Sequence, residues 1–160
     1  MTKTSVYLLL PLNCYLELNY NRMKVFLEST FGDLNFKGTN DRGQSLQLSG
    51  DKQAVSPMES VLMAAGACSS VDVEMILKKM RQDIKSITVE IDGLRADAIP
   101  AVFTKIHMHY IIVGEVKEDK AKKAVEISME QYCSVSLMLA KSVEITHSVE
   151  VRSPGLNENV

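Results

Sequence analysis

Apolar and polar residues alternate along six segments of the chain, and apolar residues recur every three or four positions along three others. Alternation is typical of β-strands with one buried face, and the longer period is typical of amphipathic helices. The predicted strands are residues 24–28, 34–37, 45–48, 84–96, 102–113 and 143–151, and the predicted helices are 57–81, 115–132 and 134–140. Runs of strands beside helices predict an α+β fold.

The long helix that begins at Pro57 is the element around which the other segments are arranged. Ser56 suits the N-cap, proline is favoured at the first helical position, and Glu59 completes a capping box. Cys68 lies in the middle of the apolar stripe of this helix. The small residues at 64–67 extend the apolar surface in directions that the stripe does not cover. One small sheet cannot bury so much surface, so we expect a partner subunit to pack against the helix.

The composition narrows the classes of partner. The chain has 160 residues and a net charge of −2, so no basic surface favours nucleic acid. No stretch reaches the roughly 20 consecutive apolar residues that span a bilayer, so we expect no membrane partner. The three cysteines are too few for a secreted disulfide framework and form no Cys-x-x-Cys pair. They favour a reducing, cytoplasmic location.

We expect one domain at residues 23–152, an N-terminal extension at 1–22 and a polar tail at 153–160. The apolar run at residues 6–12 has the outline of an export signal before Cys14, but Pro11 interrupts it. Three alternatives remain for the extension: an artefact of the start site, with Met23 as the true start, an added strand, or an export signal.

Cys68 and Cys133 both lie in helical segments that apolar residues precede. A thiol peroxidase needs one thiolate to attack the peroxide and a second thiol to resolve the sulfenic acid that forms. The pair meets that need if the fold brings the two Cα atoms within about 7 Å. The other interpretation is that both cysteines are inert residues of the core.

Other polar residues are weaker candidates. Asp72 lies one turn after Cys68 and could accept a hydrogen bond from its thiol, although a lone carboxylate on a helix is usually solvated. His107 and His109 share a strand face and, with His147, could ligate a metal, although such a pair is usually just exposed. We therefore expect no metal and no cofactor.

Three blocks of the chain carry a family resemblance. The first comprises residues 56–59, 62–68 and 76–81, the second residues 105–110, and the third residues 132–136. Together they resemble the OsmC/Ohr family of osmotically inducible and organic-hydroperoxide-resistance proteins. The resemblance covers roughly residues 23–151. Its specific parts are the interval from Pro57 to Cys68 and the residues around Cys133.

The resemblance implies an OsmC-like fold, with antiparallel sheets wrapped around long central helices in an intertwined homodimer and the active site at the subunit interface. Members reduce organic hydroperoxides. Cys68 would be the peroxidatic nucleophile, Cys133 the resolving thiol, and Glu59 the residue that holds an arginine beside the thiolate. Gln47 stands where family peroxidases supply that arginine, and Ser134 replaces a proline that often follows the second cysteine. With these departures the chain resembles the OsmC-like branch of the family. A neutral glutamine cannot lower a thiol pKa as an arginine does.

We expect the chain to reduce small hydrophobic hydroperoxides with its thiols, and an unidentified dithiol to regenerate them. The alternative is a non-peroxidase dimer of the same fold, which binds a hydrophobic or thiol-bearing small ligand and has slowly reactive cysteines. A third interpretation gives both thiols a packing role only.

Overall fold

The computed structural model describes residues 22–29 and 32–155 of the chain. The contacts divide the chain into two compact units, one up to Ser56 and one from Pro57 onward. The expectations for residues 1–21 and for the last residues of the tail, 156–160, lie outside the described residues.

The first unit is an antiparallel meander, as the alternation predicts. Its strands are β1 (Val25–Ser29), β2 (Asn35–Asn40) and β3 (Ser45–Ser49), and β2 is the central strand. Gly43 takes a positive φ of 80° in the turn between β2 and β3, where a side chain would be strained. Several apolar side chains of this sheet are exposed, namely those of Val25, Phe26, Leu27 and Leu46.

The second unit carries the helices and a second sheet of three strands. Its elements are α1 (Pro57–Lys79), β4 (Asp83–Arg95), β5 (Phe103–Glu115), α2 (Glu118–Ile127), a π-helical turn (Ser128–Tyr132), α3 (Ser134–Leu139) and β6 (Glu144–Arg152). The strand order is β4-β5-β6, so the most apolar strand of the sequence is the central one. The α+β class is confirmed.

One strand pairing corrects the expectation of antiparallel sheets. β4 and β5 pair antiparallel, but β6 pairs parallel to β5. The chain between β5 and β6 contains α2, the π-helical turn and α3. A helical crossover of this kind returns the chain to the end of the sheet where β5 began, and a parallel pair requires such a connection. The alternation within a strand specifies its buried face and does not specify the direction of its neighbour.

The core of the second unit lies between one face of the sheet and the two longer helices. The alternate residues Ile106, Met108, Tyr110 and Ile112 of β5 are buried, as the pattern predicts. They belong to one cluster with Val73 and Leu77 of α1 and Ala121, Ala124 and Val125 of α2.

The opposite face of α1 stays uncovered within the described residues. Met63, Val71 and Met75 are each more than half exposed. By length and composition alone α1 is apolar enough to cross a bilayer, which corrects the expectation that no stretch is. The small and sulfur-containing residues of α1 raise its hydropathy. A helix at the centre of an intersubunit core meets the same criterion. Either a partner subunit or a bilayer would cover the exposed face of α1.

We expect Leu77→Ala to lower the free energy of unfolding by about 2–5 kcal/mol, because the side chain is fully buried and its truncation leaves a cavity. The matched control is Leu94→Ala, because Leu94 is 61% exposed and should change stability by no more than about 0.5 kcal/mol. Urea unfolding followed by circular dichroism measures both. Equal losses would show that the core of this unit is elsewhere.

Candidate functional site

The second unit brings both described cysteines and one carboxylate together. The Sγ atoms of Cys68 and Cys133 and a carboxylate oxygen of Asp72 all lie within 4.8 Å of one another. Cys68 and Asp72 stand one turn apart on α1, so they share a face of the helix. Both cysteines are free thiols. The two sulfur atoms and the carboxylate are therefore close enough to be considered as one candidate site.

Cys133 reaches this position because the helix before it changes its hydrogen-bond register. A single helix was expected over residues 115–132, but α2 begins at Glu118 and ends at Ile127, and a π-helical turn follows. The backbone N–H of Cys133 donates to the backbone oxygen of Ser128 at 2.8 Å, a bond that spans five residues. Such turns insert an extra residue and occur frequently at functional sites. The apolar period does not reveal this change of register.

The Cys133 side chain caps the short helix α3. The backbone N–H of Ser136 donates to Cys133 Sγ at 3.4 Å, and the thiol lies 3.1 Å from Ser136 Oγ, which can accept its proton. The thiol is fully buried. These contacts hold the sulfur in a defined direction, toward α1.

Buried hydroxyl groups connect the elements beneath the two sulfurs. Tyr110 Oη donates to Ser69 Oγ at 2.7 Å, and Ser69 Oγ donates to the backbone oxygen of Ala65 at 2.9 Å. Ser128 Oγ has two acceptors, the backbone oxygen of Ser69 at 3.2 Å and a carboxylate oxygen of Asp72 at 3.3 Å. Because buried hydroxyls are costly when unpaired, this network favours one arrangement of β5, α1 and the π-helical turn.

The surroundings of Cys133 disfavour its thiolate. Burial raises the pKa of Cys133, and the bonds from Ser136 oppose that rise only in part. The neighbouring Cys68 raises the pKa of Cys133 further. In the part of the chain that the structure describes, no basic side chain forms an ion pair with Asp72. The site therefore combines two thiols with a carboxylate that no basic side chain of the described residues pairs with.

Glu59 is not part of this cluster within one chain. It lies in the first turn of α1 with an exposed side chain, nine residues before Cys68. Nine residues correspond to about 13 Å along a helix and about half a revolution around it. Glu59 and Cys68 therefore project from opposite sides of α1, and the role predicted for Glu59 stays a prediction.

Gln47 and Arg42 belong to the first unit. Gln47 pairs with Lys37 across the β2–β3 ladder, and its side chain is exposed. Arg42 lies in the β2–β3 turn, where its Nε donates to Gln44 Oε1 at 3.3 Å.

The three histidines do not form the metal site considered from the sequence. His107 contacts Thr146 Oγ1 at 2.7 Å and Ser148 Oγ at 3.0 Å, and His109 contacts Ser148 Oγ at 2.7 Å. These contacts lie on the polar face of the sheet. His147 is paired with Met108, whose side chain belongs to the opposite, buried face.

A cavity of about 280 Å³ opens beside the cluster. Asp72 and Lys79 contribute its charged groups, and its apolar wall consists of Met75, Ile76, Ile127 and Tyr132. The sequence did not identify this cavity or the roles of Ser69 and Ser128. The positions of Ser69 and Ser128 could have indicated these roles, since each is a small polar residue on an otherwise apolar stripe of a helix.

Tyr110 provides a test of the buried network. Burial raises its pKa to about 12, against the opposing effect of the Ser69 bond. An unfolded tyrosine ionises near about pH 10, so above that pH the unfolded state loses its proton first. We expect the free energy of unfolding to fall by about 3 kcal/mol between about pH 10 and pH 12.

Tyr110→Phe should remove this alkaline loss and cost about 1 kcal/mol near neutral pH, where one hydrogen bond is lost. The exposed Tyr132 supplies the control Tyr132→Phe, which should retain the alkaline loss. Urea unfolding across the alkaline range measures all three proteins. A wild-type curve that stays flat would contradict the buried position of the phenol.

A family model and a related protein of known sequence match most of the chain. The family model described as OsmC-like protein matches residues 50–148. The protein YhfA of Escherichia coli K12 is 48% identical over 122 residues, which cover 74% of this chain and 90% of YhfA.

Solved structures show the same fold. A hypothetical protein from Aquifex aeolicus VF5 is 34% identical, with a TM-score of 0.77 over 83% of this chain and 98% of its own. An organic hydroperoxide resistance protein OsmC from Legionella pneumophila is 16% identical, with a TM-score of 0.65 over 82% of this chain and 98% of its own. The family resemblance and the α+β, OsmC-like fold of the chain are confirmed, and the chain belongs to the family of OsmC-like proteins.

Proposed function

We propose that the chain reduces organic hydroperoxides by a thiol mechanism in which Cys68 attacks the peroxide and Cys133 resolves the product. The observation that carries this proposal is the approach of the two sulfur atoms to within 4.8 Å. Membership of the OsmC-like family supports it, as does the likeness in fold to a hydroperoxide resistance protein.

The exposure of the two thiols assigns their roles. Cys133 is fully buried, whereas Cys68 is only partly buried, so a peroxide reaches Cys68 first. The Cys68 thiolate attacks one peroxide oxygen, the O–O bond breaks, and the alkoxide leaves as the alcohol after taking a proton. Cys68 is then a sulfenic acid. Cys133 displaces water from it and forms a disulfide, which a small dithiol reduces to restore both thiols.

No basic side chain of the described residues forms an ion pair with Asp72, so we expect this reaction to be slow in an isolated chain. Burial raises the pKa of the Cys133 thiol, Asp72 adds a carboxylate beside the sulfurs, and the neutral Gln47 cannot supply a positive charge. A partner subunit is the simplest source of a positive group. We therefore place the active form in a homodimer, in a reducing cytoplasm that keeps both thiols free.

The thiol count tests the proposed reaction. One equivalent of cumene hydroperoxide should consume two of the three thiols of the reduced chain. Cys68→Ser should abolish this loss, because the remaining buried thiol is not accessible to the peroxide. Cys133→Ser should instead accumulate a sulfenic acid at Cys68, which dimedone traps and mass spectrometry detects.

Cys14→Ser is the matched control, because the proposed reaction uses only Cys68 and Cys133, so the loss of two thiols should be unchanged. If the reduced wild type keeps all its thiols over minutes, the peroxidase proposal is wrong. If Cys68→Ser reacts as fast as the wild type, the assignment of the nucleophile is wrong.

The homodimer has its own test. Val71 is 58% exposed on the uncovered face of α1, so an aspartate there would place a charge in an apolar interface. We expect Val71→Asp to halve the molar mass measured by sedimentation equilibrium. Val102→Asp is the control, since Val102 is 53% exposed and lies outside α1. A monomeric wild type, or no difference between the variants, would contradict the proposed interface.

A binding function is the second candidate, and the cavity beside Asp72 favours it. Its apolar wall and the charged groups of Asp72 and Lys79 in its lining suit a small amphipathic molecule. If hydroperoxide leaves the thiols intact while an apolar ligand raises the melting temperature, this candidate replaces the first. The ligand effect should then be lost in Met75→Glu, which places a second carboxylate in the cavity wall.

A further inference from the structure

We propose that the reduced thiols of Cys68 and Cys133, together with the carboxylate of Asp72, form a binding site for a thiophilic divalent cation such as Zn²⁺. The proposal does not depend on peroxidase activity. It departs from the expectation of no metal, which rested on the histidines. The donors are instead two soft sulfurs and one oxygen, a set that suits zinc.

The distances are close to those of a zinc centre. With Zn–S bonds of about 2.3 Å in a tetrahedron, two sulfur ligands lie about 3.8 Å apart. The three donor atoms lie within 4.8 Å of one another, so side-chain rotations that close each distance by about 1 Å are sufficient. A disulfide requires a larger movement, because its sulfurs are about 2.05 Å apart.

The placement of the ligands along the chain is also typical of a metal site. Cys68 and Asp72 are four residues apart on α1, the spacing that puts both histidines of a helical His-Glu-x-x-His motif on one zinc ion. Cys133 comes from a separate element, beyond the π-helical turn. Three protein ligands leave the fourth position to water, and the cavity that Asp72 lines provides a path of entry.

The ligands have partners that orient them. Ser128 Oγ lies 3.3 Å from the Asp72 carboxylate, and the backbone N–H of Ser136 donates to Cys133 Sγ at 3.4 Å. Partners of this kind fix ligand direction in known metal sites.

The charge of the cluster is the second argument. The described residues supply no ion pair to Asp72, so deprotonated thiols would face an unneutralised carboxylate. A divalent cation neutralises these negative charges and binds the three groups as ligands. A carboxylate without an ion-pair partner beside two sulfurs thus makes the cluster a suitable chelator.

Titration of the reduced, metal-free full chain with Co²⁺ and then Zn²⁺ tests the proposal. Cys14→Ser serves as the background, so that the only thiols are those of the cluster. We expect one ion per chain, a thiolate-to-cobalt charge-transfer band, and its loss when Zn²⁺ displaces Co²⁺. Cys68→Ser should remove about half of the band, because it removes one of two thiolates. The disulfide form should bind no metal.

Asp72→Asn should weaken Zn²⁺ binding about tenfold or more, a loss at least as large as those for groups that only orient a ligand. Glu74→Gln is the matched control, since Glu74 is exposed on the same helix and pairs with Lys78. It should leave the affinity unchanged. The melting temperature of each variant without metal shows whether the variant folds. If Cys133→Ser does not fold, Cys68→Ser and Asp72→Asn are sufficient to test the site.

Three results would overturn the proposal. The first is cobalt binding without a charge-transfer band, which would place the ion on histidines or carboxylates elsewhere. The second is equal affinity of Asp72→Asn and Glu74→Gln. The third is unchanged Zn²⁺ binding by the variant that lacks both Cys68 and Cys133.

Discussion

The close packing of the π-helical turn against α1 is the constraint on which the candidate site depends. Ser128 Oγ faces the Ser69 carbonyl and the Asp72 carboxylate, and Tyr110 secures Ser69 from the sheet. Replacing one of these hydroxyls by a methyl group would leave a buried acceptor without its donor. The sulfurs meet because the hydroxyls below them fix the distance between the two elements.

The periodicity of the chain was sufficient to place the elements. Each predicted strand has its counterpart, and the long helix ends two residues before the expected bound, but the helix expected over 115–132 is divided into α2 and a π-helical turn. Alternation also identified the buried face of β5 correctly. These features are local, since they follow from which side chains of one segment must leave water.

The features that the sequence did not reveal are relations between segments. The parallel pairing of β6 depends on where the crossover returns, and the register of the π-helical turn depends on what Ser128 and Cys133 contact. Asp72 was considered only as a partner of Cys68, and its distance from Cys133 follows from the packing of two helical segments. The opposite orientation of Glu59 and Cys68 is an exception. That orientation follows from the rotation of about 100° per residue around an α-helix, so it could have been worked out from the sequence.

Asp72 links the chemistry that we propose for the site. Without a cation its negative charge opposes a second negative charge at the neighbouring sulfurs. With a positive residue from a partner subunit, that opposition is relieved and the thiols can react. With a divalent ion, the same carboxylate becomes a ligand and both sulfurs are occupied, so they are not available to a peroxide. The charge that neutralises Asp72 therefore determines whether the pair acts as a nucleophile or as a chelator, and the two uses exclude each other on one chain.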